Sequence, residues 1–112
     1  MGKLFKCGAC GYIHEGDAAP EVCPKCGAPR ERFAELTEDQ AQPVLRSRKT
    51  NLYHSQILAL LAEAKDIAVK GIEDDLDPGC VKCFKDTIAS ASVLEGKIKA
   101  EIAGHVGKGK WG

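Results

Sequence analysis

Four cysteines within the first 26 residues constrain this chain more than anything else in it: Cys7-Gly-Ala-Cys10-Gly-Tyr and Cys23-Pro-Lys-Cys26-Gly. Two C-x-x-C pairs at this separation predict a tetrahedral four-thiolate metal site. Each pair curls back so that its two sulfurs face one point. The glycine after each second cysteine, Gly11 and Gly27, can adopt positive φ in a tight turn, which aims backbone N–H groups at the sulfurs. Pro24 stiffens the second knuckle at little hydrogen-bonding cost. The spacing fits iron and zinc alike.

The flanks carry more than the spacing. Cys10-Gly-Tyr-Ile13 follows the first knuckle, with His14-Glu15-Gly16 after it. Ala19-Pro20-Glu21 precedes the second knuckle, and Phe33 follows it. Residues 5–33 thereby resemble the rubredoxin-like domain of rubrerythrins, in the compact form with a short loop between the knuckles. The resemblance covers about a quarter of the chain. It implies one iron held by Cys7, Cys10, Cys23 and Cys26 and carrying one electron between ferric and ferrous states. A zinc-ribbon adaptor is the alternative: the metal would be structural, and the helices would bind a partner or dimerise.

Composition excludes several classes. The 112 residues carry a formal net charge of +0, which gives no electrostatic case for nucleic acid. No apolar run reaches membrane-spanning length. The N-terminal residues enter the metal motif at once, without an apolar leader stretch. Four of the six cysteines sit in metal knuckles, so the expected setting is a reducing cytoplasm rather than a disulfide-forming compartment.

The expected organisation is a small metal-bound β/loop module followed by an all-α hairpin. Residues 1–36, rich in Gly, Pro and Cys, form the metal module, which needs its metal to fold. Residues 37–49 read as a polar linker. Over residues 50–106 the period becomes helical. Tyr53, Ile57, Leu60, Ala64, Ile67 and Gly71 make one stripe, widened by Leu61 and Ala68. Asp77-Pro78 marks a second helix start. Its stripe is Val81, Phe84, Ile88, Ala91, Leu94, Ile98 and Ile102. Residues 107–112 read as a flexible tail. A lone hairpin leaves apolar surface uncovered, so a homodimer through residues 50–106, forming a four-helix bundle, is expected; packing of the hairpin on its own metal module is the alternative.

Rubrerythrin relatives also raise the question of a di-iron bundle, which takes Glu-x-x-His pairs from facing helices. Here Glu101 precedes His105 by four residues, and Glu63 lies off its stripe. Glu95 falls near the second stripe, but one carboxylate is not a site. Peroxidase or ferritin-like chemistry is not expected, and no catalytic residue is assigned. The expected partners are redox proteins, with Lys6 and Lys25 facing them or merely solvated.

Cys80-Val-Lys-Cys83 falls in the first turns of the second helix, where the positive helix end favours a thiolate. Three readings stay open: a redox dithiol, half of a second four-thiolate site completed by a dimer mate, or two buried inert thiols. Phe84 stands where a c-type haem motif would need His.

Overall fold

Strand β1 (Lys3–Cys7) carries the first knuckle at its end, and this places the metal motif at the edge of a small sheet. In the computed structural model, which describes residues 2–112, β1 is the centre of a three-stranded antiparallel sheet. Strand β2 (Ile13–Gly16) lies on one side, with Phe5 opposite His14 and Lys6 opposite Ile13. Strand β3 (Phe33–Glu35) lies on the other, with Cys7 opposite Phe33. A 3-10 turn at Arg30–Arg32 leads into β3, and an isolated bridge pairs Val22 with Pro29.

Helices α1 (Glu38–Asp74) and α2 (Pro78–Gly107) account for most of the remaining chain. The chain divides into two compact units, residues 1–48 with 109–112, and residues 49–108.

In the first unit the buried apolar side chains are few: Leu4, Cys7, Cys23 and Val44. Such a core is too small to hold a fold by burial alone, which leaves part of the stability to a bound metal. Here the structure corrects the expected linker: residues from Glu38 onward are helical. The cause is a capping box. Thr37 Oγ1 accepts from the Gln40 backbone N–H at 3.3 Å, and Gln40 Oε1 accepts from the Thr37 N–H at 2.9 Å. Pro43 lies inside the helix, and the carbonyl of Pro43 accepts from Ser47 Oγ at 2.6 Å. Residues of the expected tail meet the start of α1. Ser47 Oγ also lies 2.6 Å from the Lys110 carbonyl, which competes with the Pro43 carbonyl for its one proton, and Arg48 Nε donates to the Gly112 carbonyl at 2.8 Å. Arg48 also pairs with Glu15 at 2.9 Å.

The second unit is a helical hairpin. Lys65 pairs with Glu95 at 2.5 Å, and Asn51 Oδ1 lies 2.5 Å from His105 Nδ1. Phe84 packs against Gly71, where a Cβ would collide with its ring. These pairs run in opposite directions along the two helices, as an antiparallel hairpin requires. The seam on α1 is formed by Asn51, His54, Leu58, Leu61, Lys65, Ala68 and Ile72, all buried or half-buried. On α2 it is Val81, Phe84, Ile88, Ala91, Glu95, Ile98, Ile102 and His105. Steps of three and four alternate throughout, the spacing of a coiled-coil seam.

The α2 stripe therefore matches expectation except that Glu95 faces the seam and Leu94 is exposed. The α1 stripe holds in part: Leu61 and Ala68 lie in the seam, and Ala64 and Gly71 are half-buried beside it. Tyr53, Ile57, Leu60 and Ile67 are exposed, and the seam passes through Asn51, His54 and Lys65 instead. Two of these polar residues meet partners on α2, so polarity at a seam position is satisfied rather than excluded.

Candidate metal centre

The two knuckles are built by the same hydrogen bonds. Gly11 N–H donates to the Cys7 carbonyl and Gly27 N–H to the Cys23 carbonyl, each at 2.9 Å. Cys7 N–H donates to the Tyr12 carbonyl and Cys23 N–H to the Ala28 carbonyl, each at 2.8 Å. Both turns depend on positive φ, 82° at Gly11 and 77° at Gly27, as the sequence requires. Two equivalent loops thus present two thiols each to a common point.

All four sulfurs of Cys7, Cys10, Cys23 and Cys26 lie within 4.8 Å of one another. Cys7 and Cys26 are 3.7 Å apart, and Cys10 and Cys23 are 3.6 Å apart. A regular tetrahedron with metal–sulfur bonds of about 2.3 Å has edges of about 3.8 Å. The donor set therefore fits a tetrahedral ion bound by four thiolates. Among the described residues, no other group of three or more His, Cys, Asp or Glu side chains converges in this way.

Burial pushes the Cys7 thiol up, but the N–H groups of Ala9 and Cys10 and the sulfurs of Cys26 and Cys10 bring it below the ordinary value. Cys23 is likewise raised by burial and lowered by the N–H groups of Cys26 and Lys25, reaching about 7. At Cys10 the Tyr12 N–H lowers the thiol, yet burial and the three neighbouring sulfurs push it up to about 11. Four close thiols cannot all ionise without a cation, so metal binding releases protons.

Cys7 and Cys23 are buried, Cys10 is half-buried and Cys26 is exposed. Tyr12, Ile13 and Phe33 are half-buried around the site. The His14 ring sits beside Phe5 at a centroid distance of 6.4 Å. Lys6 and Lys25 are exposed.

Residues 5–34 match the model of the rubredoxin-like domain of rubrerythrin. Reverse rubrerythrin-1 of Clostridium acetobutylicum is 51% identical over 37 residues, which cover 33% of this chain and 20% of that protein. Rubrerythrin-1 of the same organism is 51% identical over 37 residues, covering 33% and 19%. The rubrerythrin of Nitratidesulfovibrio vulgaris is 52% identical over 29 residues, covering 26% and 15%. The chain thus spans a fifth or less of the length of these curated relatives, and the likeness covers the four-cysteine module rather than the hairpin. The N-terminal segment is similar to the rubredoxin-like domain of rubrerythrins and carries a four-cysteine site that fits a metal, and two long helices follow it.

The other residues singled out in the sequence serve the hairpin. Glu95 faces Lys65, not a second carboxylate. His105 Nε2 lies 3.9 Å from Glu101 Oε1, and its ring centroid is 6.3 Å from that of His54. No helix is long and apolar enough to cross a membrane among the described residues.

Cys80 and Cys83 are free thiols, Cys80 half-buried and Cys83 exposed, so the pair is not fully buried. Asp77 caps α2 by accepting the Cys80 N–H at 2.7 Å. Its Oδ2 also accepts from the Cys80 thiol at 3.5 Å. The hydrogen bond to Asp77 and its charge, with burial, Cys83 and Asp74, hold the Cys80 thiol above its ordinary value. The thiolate expected at this helix start is therefore countered by the helix's own cap.

Proposed function

We propose that this chain is a one-electron carrier in which Cys7, Cys10, Cys23 and Cys26 hold a single iron ion. The observation carrying the proposal is the convergence of four sulfurs within 4.8 Å inside a segment matching a rubrerythrin-type domain. Bound there, iron supplies a change of one electron between its ferric and ferrous states.

The chain's own residues set the conditions for that change. N–H groups of Ala9, Cys10, Tyr12, Lys25 and Cys26 lie against the sulfurs and spread their negative charge. The near-identical knuckles hold the ligands in one geometry, which keeps reorganisation on electron transfer small. Tyr12, Ile13 and Phe33 limit water around the buried pair Cys7 and Cys23. Cys26 is exposed and lies next to exposed Lys25, so the second knuckle is the face from which an electron reaches a partner. An acidic redox protein suits that face.

The hairpin is proposed as a homodimerisation element within residues 50–106. Exposed Tyr53, Ile57, Leu60 and Ile67 recur at helical spacing along α1, with Leu94 exposed on α2, and a second hairpin would cover them in a four-helix arrangement.

Titration of the iron-loaded protein tests the function. After reduction and removal of excess reductant, one equivalent of a one-electron oxidant per chain should return it to the oxidised form. A chain that takes up no electron and holds only zinc after iron reconstitution would replace this reading with the adaptor.

A further inference from the structure

Cys80 and Cys83 stand at the third and sixth positions of α2, counted from Pro78. Side chains three apart share one helix face. Helix geometry sets their Cα atoms about 5 Å apart, inside the roughly 4.4–6.8 Å range that disulfides span. The Cβ atoms must approach by a further ångström or so. Val81 and Phe84 pack in the hairpin seam, so the adjustment falls to the Cys80 end of the turn, which starts the helix after a loop in which Leu76 is 75% exposed. The two thiols differ in environment. Cys83 is open to solvent, whereas Cys80 is half-buried and hydrogen-bonded to Asp77.

We propose that Cys80 and Cys83 form a reversible two-electron dithiol–disulfide couple, with Cys83 as the attacking thiol, Cys80 as the resolving thiol and Asp77 as its positioning residue. The co-reactant is a disulfide, small-molecule or protein. The Cys83 thiolate attacks one sulfur of that disulfide, breaking its S–S bond and releasing one thiolate. The resulting mixed disulfide joins Cys83 to the other half. Cys80 then loses its proton to water and attacks the Cys83 sulfur, forming the Cys80–Cys83 bond and releasing the second thiolate. The pair loses two electrons and two protons, and the disulfide becomes two thiols. Asp77 keeps Cys80 protonated until the mixed disulfide forms, which assigns the first attack to Cys83.

The test uses the full-length, metal-loaded protein, whose four N-terminal thiolates are occupied. It is equilibrated with mixtures of reduced and oxidised glutathione, quenched by alkylation and mapped by mass spectrometry. The expected result is loss of two alkylatable thiols, confined to Cys80 and Cys83, fully reversed by dithiothreitol and without change in the metal's absorption. Cys80→Ser should stop at a glutathione adduct on Cys83, and Cys83→Ser should react at least about tenfold more slowly. Asp77→Asn, which keeps a capping side chain, should move the pH profile of Cys80 alkylation to lower pH. Circular dichroism checks that each variant folds. The proposal is overturned if wild-type Cys80 and Cys83 stay alkylatable under strong oxidation. Accumulation of the Cys83 adduct in the wild type, cross-linking of chains through Cys83, or uptake of a second metal ion by the pair would overturn it equally.

Discussion

Lys65 Nζ lies 2.5 Å from Glu95 Oε1 across the hairpin, at positions where a coiled-coil seam normally places apolar side chains. Glu95 is the carboxylate that the sequence placed near the second stripe, and in the hairpin it faces Lys65. Their side chains are 30% and 12% exposed, so removing one partner leaves a charge only partly reached by water. Glu95→Leu should destabilise the hairpin by about 1–3 kcal/mol, whereas Lys65→Met combined with Glu95→Leu should recover most of the loss. Urea unfolding followed by circular dichroism measures both. A double variant as unstable as the single one would show that the pair is more than a satisfied seam position.

Gly71 and Phe84 approach closely in the hairpin, and any side chain at 71 meets the aromatic ring. Gly71→Ala should cost about 1–3 kcal/mol through overpacking. Gly96 is the control, since a Cβ there meets nothing within 4 Å. Gly96→Ala should raise stability by about 0.5–1 kcal/mol through helix propensity. Thermal melts of the two variants should therefore move in opposite directions.

The Asp77 cap makes a pH prediction with a definite sign. The N–H and thiol of Cys80 hold the Asp77 carboxyl below the usual carboxylate range. A group with a lowered folded value stabilises the fold above its unfolded value and loses that contribution as pH falls through the folded one. The wild type should therefore lose stability relative to Asp77→Ala below about pH 4, and the variant should melt lower than wild type at neutral pH. Melting curves that stay parallel from neutral pH down into the acid range would contradict the capping role.

How much of this was legible in the sequence depends on how local each feature is. The knuckles were readable because Cys7, Cys10 and Gly11 set their own geometry over a few residues, and Cys23, Cys26 and Gly27 repeat it. The Asp77-Pro78 helix start was equally local. The linker at 37–49 was misread because its polarity and Pro43 outweighed the Thr37–Gln40 capping box, which was present as a signal. The α1 seam was read correctly at Leu61 and Ala68 but misplaced elsewhere, because hydrophobicity favoured Tyr53, Ile57, Leu60 and Ile67. Asn51 and Lys65 qualify for the seam only through His105 and Glu95, more than 25 residues away. The contacts of the C-terminus had no signal at all: Ser47 and Arg48 meet backbone carbonyls of Lys110 and Gly112, which any residues would supply.

Cys10→Ser tests the division of the chain. It should lose or loosen the metal and unfold the sheet with the short helical segment before residue 49, while residues 49–108 keep their helix. Far-ultraviolet circular dichroism should retain most of its helical signal. Loss of most of that signal would mean that the hairpin depends on the metal module.

The dimer is tested by charge on the exposed stripe. Leu60→Glu with Ile67→Glu should convert a dimer to a monomer in light scattering, with the metal content unchanged. A wild-type protein that is already monomeric at high concentration would remove the four-helix proposal.

The most direct test of the central claim is an absorption spectrum, taken before and after dithionite, with metal analysis of the same sample from iron-replete cells. The account predicts a red protein with one iron per chain, held by Cys7, Cys10, Cys23 and Cys26, that bleaches on reduction. A colourless protein with one zinc, unchanged after iron reconstitution, would contradict it.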